Sequence, residues 1–377
     1  MANTLTGLIP DLYESMDIVS RELVGLIPAV SRDHTIDRAA VGQSVKSFVA
    51  PAVTATDITP GVTPPNDGDQ TLSNVSMTIT KARRVPIRWN GEEQRGVNSG
   101  PGYRNIRANQ MAQAFRTLTN EIEADLAALY VNASRGYGTP GTAPFGSSLA
   151  DSAQPRKILA DNGTPLTDLQ LVIDTSAGAN LRTLANLTRV SESGTADVLR
   201  QGVLIDLHGF AIRESAAIKT HTKGTGTSYV TSGTYAVGAT AITLATGSGT
   251  LVAGDEVQFA GDSNWYVVKA GISAPGVLTI AAPGLLKALG TGVAVSVRNG
   301  GVKNMAFRRS AIALATRMPA LPEEGDSADD RMTLIDPVSG LAFEIAMYRQ
   351  YRQVQYELSL AWGVQVFKPE HLAILEG

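Results

Sequence analysis

A chain of 377 residues holds about two to three domains at roughly 150 residues each, and its 32 Lys and Arg against 35 Asp and Glu leave a net charge of −3. That balance excludes a dedicated nucleic-acid binder and an acidic-tail protein. There is no cysteine, so a disulfide framework, a Cys-ligated zinc or iron–sulfur site and a thiol nucleophile are excluded too.

The start of the sequence lacks a basic stretch and Asp11 interrupts its first apolar run, so no secretory signal is expected and the chain is expected to stay in the cytoplasm where it is made. Ile9, Leu12, Met16, Val19, Leu23 and Ile27 recur at three and four, which predicts a helix over residues 5–30 with Pro10 and Pro28 as punctuation. Asp11, Glu14, Asp17 and Glu22 form its solvated face, with docking of a partner as the alternative.

From residue 44 to 95 the pattern turns extended. Phe48, Val53 and Ile58 lead into a Pro- and Gly-rich tip over 60–69, after which Val75, Met77 and Ile79 alternate with polar residues. The alternation resumes at Val85, Ile87 and Trp89 behind the basic patch Lys81, Arg83, Arg84 and Arg88. Two extended limbs around such a tip predict a long hairpin arm, and a lone hairpin is marginal in water, so the arm is expected to lie on another subunit.

Met111, Phe115, Leu118, Ile122, Leu126 and Leu129 then predict a long amphipathic helix over 103–133. Residues 169–174 read as a buried strand, followed by a turn and a helix bearing Leu181, Leu184 and Leu187. A short strand pair is expected around His208-Gly209. Residues 222–300 stand apart: they contain 14 of the 37 glycines and only seven charged residues, Lys223, Asp255, Glu256, Asp262, Lys269, Lys287 and Arg298. Short β-prone runs between Gly, Ser and Pro turns predict a small inserted β-barrel or sandwich. An uncharged run between Lys223 and Asp255 is too rich in Gly, Thr and Ser to cross a membrane as a helix. Beyond the insert, Leu341, Phe343, Ile345 and Met347, then Val354, Tyr356, Leu358, Leu360 and Trp362, alternate as long final strands.

No familiar reactive constellation emerges. His34, His208, His221 and His371 have no metal-ligand spacing. The glycine runs at 224–227 and 247–250 lack the lysine of a phosphate loop and read as hairpin turns. Ser176-Ala177-Gly178 lacks the triple-glycine nucleotide fingerprint. Glu121, Glu123 and Asp125 read as falling on different parts of the long helix, and the acidic loop 323–330 as solvated, so neither supplies an acid/base pair. Asp67 and Asp69 at the arm tip lack a complete calcium-loop pattern and are assigned to the turn. The patch Lys81, Arg83, Arg84 and Arg88, with Trp89 behind it, is read as complementing an acidic neighbour subunit rather than nucleic acid. Neither cofactor nor metal is expected.

The order of elements, together with Phe307-Arg308-Arg309-Ser310-Ala311-Ile312, Asp329-Asp330-Arg331-Met332-Thr333-Leu334, Asp336-Pro337-Val338-Ser339-Gly340, Tyr348-Arg349-Gln350-Tyr351-Arg352-Gln353 and Trp362-Gly363-Val364, resembles a tailed-phage major capsid protein. With Ala253-Gly254-Asp255-Glu256-Val257-Gln258-Phe259 in the insert, it looks most like the coat protein of podoviruses of the P-twenty-two type. The resemblance covers nearly the whole chain. It implies an α+β fold of the Hong Kong ninety-seven capsid type, divided into an N-terminal helical arm (1–43), an extended hairpin arm (44–101), the spine helix and peripheral domain (102–165), part of the axial domain (166–221), an inserted β-barrel (222–300) and returning strands (301–377). It also implies a non-catalytic subunit that assembles with copies of itself into pentamers and hexamers of an icosahedral shell. The implied partners are a scaffolding protein, a portal protein and packaged double-stranded DNA held without specificity, with no membrane. The implied location is the virion capsid, assembled in the cytoplasm of a bacterial host. On this reading Lys81, Arg83, Arg84, Arg88, Trp89, Asp67 and Asp69 are inter-subunit contact candidates, and Asp11, Glu14 and Asp17 are scaffold-docking candidates. Covalent cross-linking of arm lysines is not carried over to Lys46 or Lys81.

Two other readings compete. A carbohydrate-binding or adhesin-like surface protein would use Tyr229, Tyr235, Trp265 and Tyr266 of the Gly- and Thr-rich segment, and an α/β enzyme would be built on the strand at Leu169.

Overall fold

The computed structural model describes residues 22–49, 55–64, 68–69, 73–97, 103–184, 187 and 206–377. Asp11, Glu14, Asp17 and Asp67 therefore lie outside the described residues.

The organising element is a spine helix, Tyr103–Ala127, about 37 Å long at 1.5 Å per residue. It tightens into a 3-10 turn, Ala128–Asn132. The face at three and four spacing, Met111, Phe115, Leu118, Ile122 and Leu126, is buried, as the sequence periodicity requires. It packs on a six-stranded sheet whose inward residues include Phe343, Ile345, Tyr356, Leu358, Leu360 and Trp362. Phe115 meets Phe343 edge-on, with ring centroids 5.1 Å apart. Burying each such large apolar side chain stabilises the subunit by about 1.5–3 kcal/mol.

The centre of that sheet is the strand Gln353–Val366. One of its edges takes Lys81–Asn90 along residues 353–362. The opposite edge takes Ala342–Gln350 and then, further along, Ile312–Pro319. Asp330–Ile335 closes the sheet beyond Ala342–Gln350, and Ser31–Ala39 joins in parallel beyond Ile312–Pro319.

A second sheet of eleven strands runs Phe210–Glu214, Leu169–Ile173, Lys303–Arg308, Leu372–Glu376, Arg135–Gly138 and on into Trp265–Ala270, Gly276–Ile280, Ala241–Ala245 and Val230–Thr231. The helices Ala150–Asp161 and Thr175–Thr183 accompany its first part, where Phe145, Leu159, Leu171, Ile173, Leu181 and Phe210 form one apolar cluster. Asp174 caps the second helix by accepting from the N–H groups of Ser176 and Ala177, so the glycine of Ser176-Ala177-Gly178 lies inside a helix rather than in a phosphate-binding turn. Residues 222–300 gather around their own cluster, which includes Tyr229, Ile242, Phe259, Tyr266, Leu278 and Leu285. They are nevertheless hydrogen-bonded into the rest of the sheet, because Trp265 and Tyr266 pair antiparallel with Gly136 and Arg135.

Two expectations change. The helix predicted over 5–30 is, among the described residues, only the turn Leu26–Ala29. Residues 22–25 run without helical structure beside the spine helix, where the Glu123 carboxylate accepts the N–H groups of Gly25, Leu26 and Ile27 at 2.6, 2.6 and 2.9 Å. A partner carboxylate satisfies these donors, so no preceding helical turn is needed to do so. The arm is also shorter than predicted. Its hairpin, Ser44–Val49 against Ser73–Thr78, ends before Lys81–Asn90, which belongs to the central sheet. Alternation of Val85, Ile87 and Trp89 reflects one face turned to the subunit core, not the limb of a free arm.

Candidate assembly interface

The loop leaving the hairpin, residues 55–64, is exposed throughout. Ile58 and Val62 are 96% and 106% exposed, beside Pro60 and Pro64, whereas the hairpin base is anchored by Met77 and Ile79 against Ala39, Ala313, Ala315 and Ala361. Asp69, on the far side of the tip, is exposed as well. The arm is thus fixed at its root and presents apolar surface at its end.

The basic patch sits at the root. Lys81 Nζ lies 2.8 Å from Asp125 Oδ1 and 3.4 Å from Glu121 Oε1, both on the spine helix. The Asp125 carboxylate raises the lysine's pKa above its ordinary value. Asp125 also accepts from the Trp362 indole at 2.9 Å, so one carboxylate ties strand, helix and arm root together. Arg83 pairs with Glu121 at 3.3 Å and Arg84 with Glu357 at 2.6 Å. Arg88 is exposed opposite Gln355. Trp89 is only 8% exposed and donates its indole N–H to Gln110 at 2.8 Å.

The patch is expected to face an acidic neighbour; within this chain Lys81, Arg83 and Arg84 already have acidic partners, with Arg83 and Arg84 still more than half exposed, and Trp89 packs inward. Glu121 and Asp125, four apart, share one helix face and converge on Lys81, contrary to their expected separation. Glu123 faces away from them and is buried with Ser215, whose hydroxyl donates to it at 2.8 Å. Burial pushes its carboxyl pKa up despite these donors.

Beside the groups named from sequence, two polar joints hold the segment 222–300 to the remainder. In the first, His221 bridges the Asp255 carboxylate and the Tyr130 hydroxyl, 2.8 Å to each, and Gly224 N–H donates to Asp255 at 3.1 Å. In the second, Lys303 Nζ lies 2.8 Å from Glu256 and 2.6 Å from Glu376, while Arg298 Nη1 lies 2.7 and 3.0 Å from the same two carboxylates. Gly136 borders it because any Cβ there would collide with the Glu256 carboxylate. Arg298 stacks over Trp265 at 4.2 Å. Burial, with Glu256 close by, pushes the Glu376 carboxyl up to about 7. The available sequence signal was the scarcity of charge in this segment: three of its seven charged residues, Asp255, Glu256 and Asp262, are buried. Another joint holds the N-terminal stretch, where Arg116 and Asn120 of the spine helix both clasp Glu22. The guanidinium holds that carboxyl down at about 2.

Among the described residues there is no cluster of metal-binding side chains, and no helix is long and apolar enough to cross a membrane.

No protein-family model and no curated protein matches the sequence. Solved structures do match in shape. The capsid of the cyanophage P-SCSP1u aligns over 94% of this chain and 88% of that chain, with 11% identity and a TM-score of 0.50. A structure from Mycobacterium phage Che8 covers 94% and 92%, with 14% identity and a TM-score of 0.48. A virus-like particle from Pyrococcus furiosus covers 100% of both chains, with 10% identity and a TM-score of 0.47. With a root-anchored hairpin, a spine helix on a sheet and a second mixed sheet in place, the chain has the α+β fold of Hong Kong ninety-seven type capsid subunits. At these identities the likeness establishes the fold.

Proposed function

We propose that this protein is the major capsid protein of a tailed double-stranded DNA bacteriophage, a structural subunit that builds an icosahedral shell from copies of itself. The observation that carries this reading is the arm: a hairpin anchored at its root that displays Ile58 and Val62 to solvent, on a fold shared with phage capsids. Water disfavours such apolar surface, and a neighbouring subunit is the partner that covers it most economically in a closed shell. That the cyanophage structure sharing this fold is a capsid supports the same role.

The finer assignment is to coat proteins of the P-twenty-two type. It is supported by the separate apolar cluster of residues 222–300, read as an insertion domain between an axial part, 166–221, and returning strands, 301–377. A scaffolding protein docking on Asp11, Glu14 and Asp17, a portal protein, packaged DNA, expansion of a precursor shell and assembly in the host cytoplasm belong to this proposal. So does the absence of catalysis. The glycan-binding alternative loses its platform, because Tyr229 and Tyr266 are buried and Trp265 is stacked under Arg298.

Electron microscopy of the recombinant chain, with and without a scaffolding protein, tests the proposal. Shells, tubes or capsomers are expected. Deleting residues 60–69 is expected to abolish them while leaving a folded subunit, and intact shells from that deletion overturn the role of the arm.

A further inference from the structure

A cavity of about 160 Å³ lies outside the shell contacts argued above, between the helix Ala150–Asp161 and the turn at His208. It is lined by Ala153, Arg156, Lys157, Ala160, Leu166 and His208. The first four recur at i, i+3, i+4 and i+7, so one helix face supplies both cations and the small residues that leave space between them. Three of the six lining side chains are bases and none is an acid. Arg156 Nε is buried with no acceptor among the described residues. A buried donor left in that state is costly, and the rest of the guanidinium belongs to the cavity lining.

The turn holds the third base in place. Leu207 and Phe210 exchange both backbone hydrogen bonds, at 3.1 and 2.9 Å, around His208 and Gly209, which have φ of 51° and 81°. Positive φ at both central residues is the tight hairpin turn that matches strand twist. Ser152 Oγ spends its one proton on the Leu149 carbonyl at 2.9 Å, so its lone pair receives the Nδ1–H of His208 at 2.7 Å. The ring is thereby oriented with Nδ1 engaged, and Nε2 is the nitrogen left for a ligand.

We propose that this cavity binds a phosphate group. The Arg156 guanidinium and Lys157 ammonium supply positive charge and N–H donors for its oxygens. His208 Nε2 accepts from a protonated phosphate oxygen or, as imidazolium, donates to an ionised one. Sulfate has no proton to offer at neutral pH and is the weaker ligand for a neutral ring. Free phosphate carries that proton at neutral pH; the phosphodiester backbone of DNA, like sulfate, has none and shares only the contacts to Arg156, Lys157 and an imidazolium ring. The site stands on its own geometry and does not depend on the capsid reading.

Equilibrium dialysis of the full chain with inorganic phosphate at constant ionic strength tests it. Saturable one-site binding is expected, weakened about tenfold by Arg156→Gln and by Lys157→Gln. Lys157 is exposed, so its substitution leaves the fold intact even where that of Arg156 does not. Sulfate is expected to bind more weakly than phosphate at neutral pH. A short DNA duplex that displaces phosphate identifies the backbone as the source, and one that does not identifies the free anion; either supports the site. Absence of saturable binding, or binding unchanged in Lys157→Gln, overturns it.

Discussion

The arm and the segment 222–300 are built from the same materials, short β-prone runs punctuated by glycine and proline, yet they bury apolar surface in opposite ways. The segment closes on itself around Tyr229, Phe259, Tyr266 and Leu278, and seals its boundary with buried ions. Among the described residues the arm has two strands, and beyond its root at Met77 and Ile79 it displays Ile58 and Val62. A small region that supplies both sides of its own core stabilises itself; a two-stranded hairpin cannot, and needs another surface. On the proposed function, the contrast separates residues that serve folding from those that would serve assembly.

Substitutions at either place sharpen this contrast. The largest effect is expected inside the segment: Phe259→Ala should lower unfolding free energy by about 3–5 kcal/mol in denaturant titration, because the ring is fully buried. Lys303→Met should cost a similar amount, about 3–5 kcal/mol, since Glu256 and Glu376 would then share only Arg298. Glu376 adds a pH signature. With its folded pKa raised to about 7 from 4.5, its contribution is fully present below pH 4.5 and lost as pH rises towards 7. Melting temperature measured across that window should fall less steeply in Glu376→Gln than in the parent.

Glu22, outside both regions, has the opposite sign. Its folded pKa is depressed to about 2, so its contribution is present above 4.5 and lost as pH falls through about 2. Its side chain is a third exposed, so Glu22→Gln should cost only about 0–1 kcal/mol near neutrality, with the difference vanishing in acid unfolding. At the end of the scale, Ile58→Ala should change subunit stability by within about 0.5 kcal/mol, while light scattering should show slower or weaker assembly. A large loss of subunit stability from Ile58→Ala would break the comparison.

The spine helix was legible because its five core residues obey one spacing, and all five are buried on the sheet. The hairpin was legible as alternation. Alternation names a face but not the strand beside it, so Lys81–Asn90 was assigned to the arm although Gln353–Val366 is its partner. The internal partners of the patch were illegible for the same reason at longer range: Glu121, Asp125 and Glu357 lie 38 to 273 residues from the cations they neutralise. No local pattern links Lys303 to Glu256 and Glu376 either.

By itself, then, the sequence determined the spine helix and its apolar face, the alternating strands and their inward faces, and the scarcity of charge in residues 222–300. These properties depend on near neighbours along the chain. The tertiary structure decided which surfaces meet: Lys81, Arg83 and Arg84 pair within the chain, Glu256 and Glu376 share the joint between residues 222–300 and the remainder, and Ile58 and Val62 remain uncovered. Pairing and burial depend on residues brought together from distant positions, and only the folded chain sets those distances.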